Sequence, residues 1–177
     1  MQLAKTFLDP LVEFPAIAIR AIGNDKTVVS LLTDNPDIEM ESDEADAVYD
    51  KFLYDYGYID ETTTENVCYI CVEADNASMT WRERTKNAFM NMQLYVTIVC
   101  HKRFMDIDPS KFPKMLGNRR DNIARYVDLL INGSNLFGVG ALTLKSARTL
   151  AAPIGFCIRE LVYEVPAFGA KNLTVAT

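Results

Sequence analysis

Apolar and polar positions follow two rhythms along this chain. Glu65 to Ala74, and again Met90 to Phe104, are rich in β-branched and aromatic residues, which predicts two strands. Between them, Asn76 to Asn87 carries Trp81, Arg82, Arg84 and Lys86 and reads as the basic tip of a long protruding hairpin. Ala141 to Leu150 and Phe156 to Val165 predict a second strand pair, joined by residues 151–155 and closed by Pro166. A different rhythm, apolar at every third or fourth position, covers Ala45, Val48, Tyr49, Phe52, Leu53 and Tyr56. Ser42 caps that helix, Asp43, Glu44 and Asp46 suit its first turn, and Gly57 stops it. Ile123, Tyr126, Val127, Leu130 and Ile131 form a second helical stripe, capped by Asn118, braced by Asp121 to Arg125 and ended by Gly133.

Two weaker elements precede these. Phe14 to Ile22 is rich in isoleucine and predicts a strand, with Pro15 at its start or on an edge. Asn24 or Asp25 caps a short helix over Lys26 to Leu32, and Asp34-Asn35-Pro36 stops it. Asp106 to Gly117 reads as a connector, and residues 132–140 as a turn.

A helix between antiparallel strand pairs is an α+β arrangement: one mainly antiparallel sheet with helices packed on one face. No repeat or linker divides the chain, so 1–177 reads as a single domain. Its expected parts are an N-terminal helical and extended region (1–60), an α+β core (61–168) and a mobile tail (169–177).

Composition narrows the function classes. With 177 residues, 49% hydrophobic and 24% charged, the chain has ordinary globular usage and length for a real core. Its formal net charge is −6, which opposes nucleic-acid binding unless a basic patch overcomes it. Three positives interleaved with Glu83 make only a thin one. The first residues form no secretory signal, and residues 11–22 are too short and too charged to span a bilayer. The sequons at Asn76, Asn132 and Asn172 are therefore chance matches.

Four cysteines, Cys68, Cys71, Cys100 and Cys157, are too few and too scattered for a disulfide framework. Cys68 and Cys71 have metal-knuckle spacing, and Cys100-His101 lies beyond them. On a strand, though, residues three apart point to opposite faces, and so do neighbours. Buried structural thiols are the expectation, with no metal and no cofactor. Residues 37–47 are acidic but lack a calcium-loop pattern. Phosphate-cradle glycine motifs and a nucleophile elbow are missing from the sequence, and His101 is its one histidine. A small hydrolase using His101 and a cysteine remains the enzyme alternative. The favoured reading is non-enzymatic.

Four strings carry a family resemblance: Leu94 to His101, Arg119 to Leu130, Gly138 to Leu144 and Ile158 to Val165. In this order and texture the chain resembles tail terminator, or neck, proteins of long-tailed bacteriophages over roughly residues 60 to 168. The resemblance implies a virion assembly protein at the head–tail junction, built in the host cytoplasm. Such a protein forms a ring, typically a hexamer, that caps the tail tube protein and docks to the head connector. DNA passes through its lumen without specific binding, and no membrane is involved. A connector or head-closure role is the near variant, and a monomeric adaptor the further one. Trp81, Arg82, Arg84 and Lys86, with Tyr49, Phe52, Tyr54, Tyr56 and Tyr58, are the expected subunit or partner interface.

Overall fold

The computed structural model describes residues 9–57, 67–82, 87–166 and 168–170, the side chains of 76–90 and 168–170 excepted. Three helices come first: α1 (Asp9–Gly23), α2 (Lys26–Thr33) and α3 (Asp43–Lys51). A two-residue strand β1 (Leu53–Tyr54) leads to β2 (Cys68–Arg82) and β3 (Asn87–His101). A 3-10 turn (Lys102–Phe104), α4 (Arg119–Ile131), β4 (Thr143–Leu150), β5 (Phe156–Glu164) and β6 (Phe168–Ala170) complete the order.

Phe14 to Ile22 is helical, against the expectation of a strand. Its buried residues Phe14, Ala18 and Ile22 recur every fourth position, and only a helix puts all three on one face. Pro15 lies inside α1 and removes one backbone hydrogen bond without ending the helix. Packing of that apolar face outweighs the β-branched preference of the isoleucines. The Phe14 ring meets Phe137 edge-on, 5.2 Å between centroids.

The caps follow the sequence closely. Asp25, Ser42 and Asn118 each accept a hydrogen bond from the backbone N–H three residues on. Asp34 ends α2 in the left-handed conformation, φ 57°. However, α3 stops at Lys51 and does not run on to Tyr56. The chain opens out at Phe52 so that Leu53 and Tyr54 pair parallel with Ile70 and Cys71. Extended backbone then sends Leu53 into the core and Tyr54 to the opposite face.

The strands form one sheet in the order β1-β2-β3-β5-β4, antiparallel except for β1, with β6 beside β3. Pairing of β2 with β3 runs from Cys68–Cys100 to Arg82–Asn87, with a bulge between Asn76 and Ser78. Strand structure therefore occupies much of the stretch expected to be a loop, and residues 83–86 lie outside the described residues. β3 stops at His101, where the 3-10 turn begins, and does not reach Phe104.

The helices cover one face. Ile70, Val72, Leu94, Val96, Ile98 and Leu161 from the sheet join Ile22, Val28, Leu31, Ile123 and Val127 from the helices in the main core. A smaller cluster on the opposite face holds Tyr69, Cys71, Val99, Phe156 and Ile158. This is the expected α+β class, with one mainly antiparallel sheet and helices on one face.

Candidate interaction surface

The tyrosine-bearing segment divides into two environments. Tyr49, on α3, packs its ring onto Gly23 at the end of α1 and donates a hydrogen bond from its hydroxyl to Asn24 Oδ1 at 2.9 Å. Burial raises its pKa, with Arg20 opposing and Asp46 adding to the effect. Tyr49 and Arg20 line an open recess of about 510 Å³ with Ala16, Ile19, Leu53 and Asp55. Phe52 is half-buried against both apolar clusters.

Tyr54 lies on the other face of the sheet. Its ring meets Tyr69 edge-on at 5.8 Å and Tyr56 at 5.7 Å, geometries that suit the aromatic quadrupole. Its hydroxyl donates to the Lys51 carbonyl at 2.9 Å. Tyr56 is 53% exposed, so this aromatic run reaches solvent. The structure thus places Tyr54 and Tyr56 together and sets Tyr49 apart. Tyr58, Arg84 and Lys86 lie outside the described residues. Trp81 and Arg82 belong to β2 by backbone, and their side chains are not described.

The thiols and the histidine also separate. Cys68 and Cys100 face the helices, while Cys71 faces away. His101 accepts a hydrogen bond at Nδ1 from the Arg103 N–H and lies edge-on to Phe156. Among the described residues there is no cluster of three or more His, Cys, Asp or Glu able to hold a metal ion. No helix among them is long and apolar enough to cross a membrane.

Two charged networks were not anticipated. Arg119, at the first turn of α4, is 2% exposed. It donates to the carbonyls of Leu31 (2.6 Å), Phe104 (2.9 Å) and Asp106 (3.3 Å) and to the Asp34 carboxylate (2.5 Å). Its guanidinium lies 4.0 Å over the Phe104 ring. Burial works to raise the Asp34 carboxyl, but hydrogen bonds from Lys111 and Arg119 outweigh it and hold it below its ordinary value. The only hint in the sequence is an arginine at a helix N-terminus, where the dipole disfavours cations. In the second network Asp121 pairs with Arg120 and Arg159, not with Arg125 as expected. Arg125 instead lies over the Tyr126 ring. Sequence spacing sees only contacts along a helix, and Arg159 arrives from β5.

The sequence matches the model of the YomW family over residues 25–165. That is most of its length, so the chain belongs to this family. No curated protein matches it. Among solved structures, a chain of "Virion of native gene transfer agent (GTA) particle" has the same fold, with TM-score 0.54 and 11% identity. The match covers 89% of this chain and 96% of that one.

Proposed function

We propose that this YomW-family chain is a non-enzymatic virion protein that forms a ring, as a hexamer, at the head–tail junction of a phage-like particle. In this reading it terminates the tail tube and docks it to the head connector. The observation that carries the reading is the end-to-end fold match to a chain of a gene transfer agent virion.

Surface features support it. A ring needs heterologous interfaces that close by rotation. The Tyr54–Tyr56 pair, which reaches solvent at Tyr56, the recess beside Tyr49 and the outer edge of β4 offer contacts of that kind. A net charge of −6 suits a lumen through which DNA slides without sticking.

Light scattering on the purified chain, alone and with tail-tube protein, tests the proposal. A closed species of six chains is expected, and Trp81→Ala is expected to weaken its assembly while circular dichroism stays native. A stable monomer in both samples would sink the ring and favour an adaptor.

A further inference from the structure

Three thiols stand in a row across one end of the sheet. The register sets Cys68 opposite Cys100, and Cys100 opposite Cys157. Hydrogen bonds around them decide which pair is close. The His101 N–H donates to the Val67 carbonyl at 2.9 Å, so these opposed residues form a hydrogen-bonded pair. Antiparallel ladders alternate, which makes Cys68–Cys100 a non-hydrogen-bonded pair, with Cα atoms about 4.5 Å apart and side chains drawn together. On the other side of β3, Lys102 N–H donates to Gly155 and Val165 N–H to Met92. The same alternation makes Cys100–Cys157 a hydrogen-bonded pair, with Cα atoms about 5.5 Å apart and side chains further from each other.

We propose that Cys68 and Cys100 are a redox-sensitive dithiol that closes to a cross-strand disulfide when the protein meets hydrogen peroxide. One thiolate attacks the peroxide, breaking its O–O bond to give a sulfenic acid and hydroxide. The second thiolate attacks that sulfur and displaces a second hydroxide. With the two thiol protons, the net change is two thiols and one peroxide to one disulfide and two waters. The disulfide covalently fastens the base of β2 to β3.

Both side chains are fully buried in the main core, and the Cys100 thiol donates to the His101 carbonyl at 3.7 Å. Burial, with Cys100 alongside, holds the Cys68 thiol well above its ordinary value. Closure is therefore slow, because reactive thiolate is scarce. Small size favours peroxide over a bulky disulfide as the oxidant that reaches them.

Peroxide treatment of the folded chain, alkylation under denaturing conditions and non-reducing peptide mapping test the proposal. A Cys68–Cys100 linked peptide, two hydrogens lighter and restored by dithiothreitol, is expected. It should persist in Cys157→Ser and vanish in Cys100→Ser. Linkage to Cys71 or Cys157, links between chains, or sulfinic and sulfonic products alone would overturn it. So would thiols that stay reduced while the methionines of the wild-type chain oxidise, a result independent of whether any variant folds.

Discussion

Arg119 heads the largest fully buried side chains, and its partners come from three separate segments: the end of α2, the turn after β3 and the connector. Truncating it strands three carbonyls that water cannot reach freely. Arg119→Ala is expected to cost about 3–5 kcal/mol, read as a lower urea midpoint. Arg119→Lys is expected to recover only part of this, since an ammonium lacks the planar fork that reaches several acceptors at once. Asp34 governs how that staple responds to acid. Its folded pKa lies below the ordinary value of 3.8, so its contribution is complete above that value and is lost as pH falls through the folded pKa. In Asp34→Asn, stability at neutral pH should be lower and its decline below about pH 4 shallower. Urea titrations at a series of pH values should show the two curves converging in acid. Parallel curves would remove Asp34 from the linkage. Asp121, also lowered, keeps some acid slope in both proteins.

Between elements, the closest constraint is where α1 meets α3. A Cβ on Gly23 would fall 2.5 Å from the Tyr49 ring, which Asn24 holds by its hydroxyl. Gly23→Ala is expected to cost about 1–3 kcal/mol through overpacking. In a Tyr49→Ala background most of that cost should disappear, and thermal melts of the four proteins in the cycle measure the difference. The Ser42 and Asn118 caps and the strands around Val96 and Leu161 were legible in sequence because their signals are local, whereas the pairing of those two strands with each other was not. Phe14 to Ile22 was misread since isoleucine favours strands, and only contact with the rest of the core reveals the four-residue spacing as decisive. The early end of α3 was hidden for a related reason. Nothing near Phe52 forbids another helical turn, and the partner that draws Leu53 into β1 is Ile70, far along the chain. The candidate surface was legible in part. Tyr54 and Tyr56 lie together as a tyrosine-rich stretch suggests, whereas Tyr49 belongs to the packing of α1 against α3.

Among the described residues, one face of the sheet packs against the helices and the other carries a smaller cluster around Val99 and Phe156. In the proposed ring, a subunit that joins neighbours by its sheet edges and exposed aromatics would leave the helical layer unchanged, so assembly and stability would answer to different residues. Arg119 holds the fold together, and Tyr56 is a candidate for the contact between subunits. The strand order β1-β2-β3-β5-β4 carries a further consequence. The place beside β3 is taken by Phe156–Glu164, which also supplies the seat for Thr143–Leu150. While the polypeptide is being synthesised, β3 therefore waits with one flank unzipped until Phe156–Glu164 has left the ribosome.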